Sequence, residues 1–169
     1  MSIQLHAEPY DLDATGFYFS TADEYADKVQ KCRNAFGQPV EEFEIQFIDG
    51  DSIDADLAEA WKINQDNFDR FLSVAEDWDE HEKIAFIIAV GECGYDFDPK
   101  TVTPHDFEVD IYQVDTLKEL AEQFVDEGIF GDIPDHLANY IDYDAIARDL
   151  QCDYSTTVID GQRLAYRCA

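Results

Sequence analysis

Apolar residues recur along this chain at two spacings, and the spacings mark out its elements. Residues 3–7 and 17–19 are short strand candidates. Phe43-Glu44-Ile45-Gln46-Phe47 alternates apolar with polar, the pattern of a half-buried strand. Between them Thr21, with Glu24 three residues on, has the form of a capping box. The helix it opens carries Tyr25, Ala26, Val29 and Cys32 on one face, and the spacing predicts a stop near Gly37. Asp49-Gly50 turns the chain.

Residues 53–105 read as short helices. Leu57 and Trp61 are four apart, and Phe68, Phe71, Leu72 and Ala75 make one apolar face with Asp66 as the expected cap. Asp79, with Glu82 three residues on, caps the run 84–90, which is apolar all round and ends at Gly91. Periodicity alone leaves such a run ambiguous between helix and strand; the flanking caps favour a buried helix. Residues 96–105 hold two prolines and form a boundary loop.

Residues 107–112 alternate as a strand. Two helices follow. Asp115 is the expected cap of the first, Leu117, Leu120, Ala121, Phe124 and Val125 form its inward face, and Gly128 ends it. Pro134 forces an extended entry at Ile133. Asp142 caps the second helix, with Ala145, Ile146 and Leu150 inward. Residues 154–158 and 163–166 flank Asp160-Gly161, a hairpin signal. The chain thus reads as an α+β unit over 1–52, a helical stretch over 53–105 and a second α+β unit over 106–169.

Charge changes this picture. The 169 residues carry 39 Asp+Glu against 11 Lys+Arg, a formal charge of −28. Residues 51–150 hold 27 acids and 6 bases, while the last 19 hold two of each, so the charge belongs to the folded body. With 12 Phe and 9 Tyr the chain is not a disordered acidic tail. On the first helix after residue 115, Glu119, Glu122, Asp126 and Glu127 have Lys118 as the only base. Glu122 and Asp126 are like charges four apart, which costs a helix about 0.2–0.5 kcal/mol. Stability does not account for that choice. So large a negative charge excludes nucleic acid and anionic membrane as direct partners and points to a basic one.

Candidate chemistry is sparse. A calcium-loop frame opening at Asp11 places Gly16 sixth but Ala22 twelfth; one opening at Asp49 places Asp54 and Ala60 there, and neither fits. His6, His81, His105 and His136 are scattered, and His81-Glu82 is not followed by a second histidine, position 85 being Ala85. No phosphate loop, dinucleotide fingerprint or nucleophile elbow occurs. The expectation is therefore no enzyme, no metal and no cofactor. Cys32, Cys93, Cys152 and Cys168 have no metal spacing and read as free thiols. The N-terminus has no basic region and no apolar run, and no stretch is long enough to span a membrane. A cytoplasmic location is expected.

Duplex DNA carries about one negative charge per 1.7 Å of axis, so a charge of −28 matches roughly 48 Å, or about 14 base pairs. A folded carrier of carboxylates suits a groove built for DNA, since carboxylates accept hydrogen bonds from the Arg and Lys that hold phosphates. The competing readings are a halophile's solvation shell, an acidic module regulating another basic or DNA-binding protein, and a small hydrolase.

The stretch 117–150 weighs between them. Glu119-Leu120-Ala121, Phe124-Val125-Asp126-Glu127-Gly128, Gly131-Asp132-Ile133-Pro134, Leu137, Asn139-Tyr140-Ile141-Asp142-Tyr143 and Arg148-Asp149-Leu150 resemble the C-terminal part of the ArdA antirestriction family. Fainter similarity covers Gly16-Phe17-Tyr18-Phe19 and Glu41-Glu42-Phe43-Glu44-Ile45. The departure lies at Ala7-Glu8-Pro9-Tyr10-Asp11-Leu12-Asp13, where the family usually shows a Tyr-Asn-x-Gly turn. The resemblance implies an elongated α+β chain of three small domains, with short antiparallel sheets and helices at both ends and a helical middle. It implies a homodimer that needs no cofactor. It also implies a DNA mimic that inhibits type I restriction-modification enzymes at their methyltransferase core. The candidate phosphate stand-ins are the outward acids Asp66, Asp69, Glu76, Asp79, Glu80, Asp115, Glu119, Glu122, Asp126 and Asp132. Phe130, Ile133 and Tyr140 are candidates for the dimer contact.

Overall fold

The first sheet is centred on β1 (Gln4–Pro9), with β2 (Phe17–Phe19) and β3 (Phe43–Asp49) antiparallel on either side. It belongs to a computed structural model that describes residues 2–169. The chain divides into two units, residues 1–107 and 108–169. Leu5 and Ala7 of β1, Phe19 of β2, and Phe43 and Ile45 of β3 are buried, the period of two that one covered sheet face demands.

Helix α1 (Ala22–Lys31) starts as expected: the Thr21 hydroxyl accepts from Glu24 N. The Glu24 carboxylate accepts from Ser20 N. Two expectations are corrected here. The helix ends at Cys32 rather than near Gly37, and Ala26 is exposed, with no α1 residue fully buried. The chain leaves the helix because residues 33–39 close their own turn, with Arg33 bridged to Pro39 and Gly37 at φ +78°.

Helices α2 (Ser52–Trp61), α3 (Phe68–Asp77) and α4 (Glu80–Phe86) complete the first unit, α4 running into a π-helical turn at Ile87–Glu92. Leu57, Trp61, Phe68, Phe71, Val74, Ile84, Phe86 and Ile88 are buried. Aromatic pairs join sheet to helix, Phe19–Phe68 at 5.2 Å and Phe47–Phe71 at 6.5 Å between ring centres, and helix to helix, Tyr25 of α1 to Phe68 of α3 at 4.6 Å. Trp61 sits 5.1 Å from Phe86 and 5.0 Å from Phe97. Each such pair adds about 0.5–1.5 kcal/mol to area burial. Asp79 and Glu82 form the full reciprocal capping box. Asn67, not Asp66, occupies the N-cap of α3, because residues 64–67 form a turn in which Asn64 Oδ1 accepts from Asp66 N.

In the second unit β6 (Gln162–Cys168) lies between β4 (Val109–Gln113) and β5 (Ser155–Ile159), all antiparallel. The β5–β6 loop is the two residues Asp160 and Gly161, at φ +50° and +73°. Positive φ at both centres is the type I′ turn, whose twist matches a hairpin. Helices α5 (Leu117–Asp126) and α6 (Tyr143–Leu150) pack together. Val114, Leu120, Phe124, Tyr154 and Ala165 form the core, with Tyr112, Leu117 and Leu150 against it.

Thr116, not Asp115, caps α5; its hydroxyl accepts from Glu119 N, and Asp115 donates its backbone N–H to Glu119 Oε2. The stop at Gly128 is as expected: Gly128 N donates to Val125 O and Ile129 N to Phe124 O, a Schellman closure with Gly128 at φ +74°. A 3-10 turn, Asp135–Tyr140, follows Pro134. Asp142 caps α6 through Ala145 N. On α6, Ala147 is the buried residue, while Ala145, Ile146 and Leu150 are half-buried.

Cys32 and Cys152 are free thiols. Cys93 and Cys168 are not, which corrects the expectation at those positions. Among the described residues no helix is long and apolar enough to cross a membrane.

Candidate functional site

Nearly every carboxylate faces solvent. Asp54 is the one buried acid among the described residues; Asp11, Asp56, Glu82 and Asp110 are half-buried, and the others are exposed. The ten acids singled out from sequence, Asp66, Asp69, Glu76, Asp79, Glu80, Asp115, Glu119, Glu122, Asp126 and Asp132, are all exposed.

In the first unit Asp69 and Glu76 lie on the outward side of α3, opposite Phe68, Phe71, Val74 and Ala75. Their separation along the axis is about 10 Å. Asp79 caps α4 and Glu80 is its first residue, where the helix dipole favours negative charge. Asp66 lies close enough to Tyr25 to matter: burial pushes the Tyr25 hydroxyl up, and the Asp66 charge adds to it. In the second unit Glu119, Glu122 and Asp126 follow the exposed side of α5, Asp115 precedes it, and Asp132 lies in the turn after it.

The bases on these helices do not offset that charge. Lys83 of α4 is buried, with Nζ 2.6 Å from Asp54 Oδ1. Arg70, the one base on α3, has its Nε buried. Lys118, the one base on α5, reaches Asp144 at 3.2 Å. Arg167 pairs with Asp110 and lies over the Tyr154 ring at 5.3 Å. The hydrogen bonds that Arg167 donates to the Asp110 carboxylate hold its guanidinium above its ordinary value.

The motif residues split between structure and surface. Gly131 takes φ +90°, Pro134 precedes the 3-10 turn, Asp142 is a cap, Tyr143 opens α6 half-buried, and Leu150 packs on the core. Arg148 and Asp149 are exposed, as are Leu137 at 45% and Tyr140 at 83%. With Phe130 at 53% and Ile129 at 61%, they make residues 129–140 a stretch of exposed apolar side chains; Ile133 is half-buried. The Lys83–Asp54 pair was not foreseen. Its signal is Asp54 on the helical face of Leu57, Ala58 and Trp61, a charge where an apolar residue is expected.

Among the described residues no group of three or more His, Cys, Asp or Glu is placed to hold a metal ion. Fold and surface together define an acidic α+β protein whose carboxylates lie outward in both units. Residues 4–163 match the family model described as "Antirestriction protein (ArdA)". The chain belongs to the ArdA antirestriction family. No curated protein matches it.

Proposed function

We propose that the chain is a DNA mimic: its surface carboxylates replace duplex phosphates in the DNA-binding groove of a type I restriction-modification enzyme and so inhibit it. The observation that carries this reading is the outward placement of acids on helices whose few bases are partly buried or already engaged. Asp69, Glu76, Glu122 and Asp126 are exposed on helices whose bases are Arg70 and Lys118, the first with its Nε buried and the second paired with Asp144. A surface built only for solubility gains from mixed signs. A surface offered to an Arg- and Lys-lined groove gains from one sign, because each carboxylate accepts charge-assisted hydrogen bonds there. The segments 1–52, 53–105 and 106–169, taken as three domains of an elongated chain, belong to this proposal. So does a homodimer through the exposed apolar stretch that includes Phe130 and Tyr140. The partner is the methyltransferase core of the enzyme, in the cytoplasm.

Equilibrium competition tests the reading. Increasing duplex DNA displaces the chain from the methyltransferase core, and the chain displaces labelled duplex in return. Simultaneous, independent binding of chain and duplex contradicts it.

A further inference from the structure

The first unit carries a feature that the carboxylates do not explain. Loops 10–13 and 34–38 are bolted to each other. Ala35 N donates to Asp13 O at 2.8 Å, and Asn34 Nδ2 donates to Asp11 Oδ2 at 2.9 Å. Each loop is also closed on itself: Asp13 N donates to Asp11 Oδ1, and Asn34 Oδ1 accepts from both Phe36 N and Gln38 N. This bracing holds out large apolar side chains. Leu12 is 98% exposed, Phe36 75% and Tyr10 66%.

We propose that Leu12, Phe36 and Tyr10 form a preorganised apolar knob that docks into an apolar recess rimmed by Arg and Lys on the restriction enzyme the chain inhibits. The proposal rests on the reading above and adds to it a contact that charge cannot supply. Single exposed apolar residues are ordinary on protein surfaces. Here the three stand on two loops whose backbones are braced against each other, so the loop part of the ordering cost of binding is met before the partner arrives. Exposed acids lie beside Tyr10 and Leu12. Asp13, Glu41 and Glu42 are exposed, Tyr10 N donates to Glu42 O, and Tyr10, Glu41 and Glu42 flank a shallow recess of about 390 Å3. The neighbouring base Arg33 donates to the carbonyls of Gln30 and Cys32, and its one positive charge is outnumbered by these acids. An apolar centre with a charged rim is the anatomy of a protein interface. The negative rim selects a basic partner and sets a second copy of this chain against like charge.

The test is the affinity of the full chain for the purified methyltransferase core at two salt concentrations, compared with Leu12→Ser/Phe36→Ser and with Leu12→Met/Phe36→Leu. The serine pair is expected to weaken binding about tenfold or more, with the salt dependence and melting temperature unchanged. The Met/Leu pair restores most of the affinity. Affinity of the serine pair within twofold of the parent overturns the knob. So does unchanged affinity with lost self-association in sedimentation, which assigns these residues to a chain–chain contact. Failure of the carboxylate reading shows separately, as parent-chain binding that duplex DNA does not displace.

Discussion

Lys83 Nζ lies 2.6 Å from Asp54 Oδ1, and both side chains are buried. In a chain with so large a surplus of acid, the one buried carboxylate among the described residues has the one buried lysine ammonium among them beside it. The pair ties α2 to α4. Removing one partner leaves a buried charge unmatched. Lys83→Met is expected to cost about 3–5 kcal/mol in urea denaturation, and Lys83→Met/Asp54→Leu to recover most of it. A double variant as unstable as the single one contradicts this.

Glu122 and Asp126 separate stability from function. They are exposed like charges four apart on α5. Glu122→Gln/Asp126→Asn is expected to stabilise the chain by about 0.2–0.5 kcal/mol while weakening inhibition. Denaturation and inhibition assays on one preparation read both signs. Inhibition unchanged by the substitution would show that these acids are merely solvated.

Asp106 gives a pH prediction. Its carboxylate accepts from Thr103 N and Thr103 Oγ1, both at 2.8 Å, and these bonds hold it below the ordinary carboxylate range. Asp11 is lowered in the same way, first by Asn34 and then by Asp13 N. A depressed folded value means that these bonds stabilise the fold above the unfolded-chain value, about 3.9, and lose that effect as pH falls through the lower folded value. Carboxyl NMR titration is expected to show both midpoints below the ordinary range, with Asn34→Ala returning Asp11 toward it. The same variant loosens the loops that carry Leu12 and Phe36.

Gly128 closes α5 in left-handed backbone at φ +74°. No side chain or backbone atom blocks a Cβ there, so the penalty for Gly128→Ala is conformational alone. It is expected to cost about 1–2 kcal/mol by thermal or urea unfolding. A neutral substitution would show that the Schellman closure is dispensable.

What was legible in the sequence was local. Thr21, Asp79 with Glu82, Asp142, Gly128 and Asp160-Gly161 act within a few residues of themselves, and each does what its spacing implies. The misplacements share a cause: a neighbouring residue or a distant contact won. Thr116 displaced Asp115 and Asn67 displaced Asp66, one position away in each case. Helix α1 ends early where residues 33–39 close their own turn, and Asn34 ties that turn to Asp11, 23 residues back in the chain. The Lys83–Asp54 pair spans 29 residues, and no window of periodicity sees it. Exposure of Asp69, Glu76, Glu119, Glu122 and Asp126 followed from helical phase, since each apolar stripe fixes which side faces water. Asp66, Asp79, Asp115 and Asp132 are instead exposed in turns and at helix starts. What the acids bind lies beyond phase, because a solvated carboxylate and a phosphate stand-in obey the same pattern.

The most direct measurement is the inhibition constant of the chain against a type I enzyme, plotted against salt, beside a variant with all ten candidate acids changed to amides. The mimic reading predicts steep weakening with salt for the parent, and for the folded variant a shallower slope with inhibition largely lost. Equal slopes and equal inhibition would contradict it.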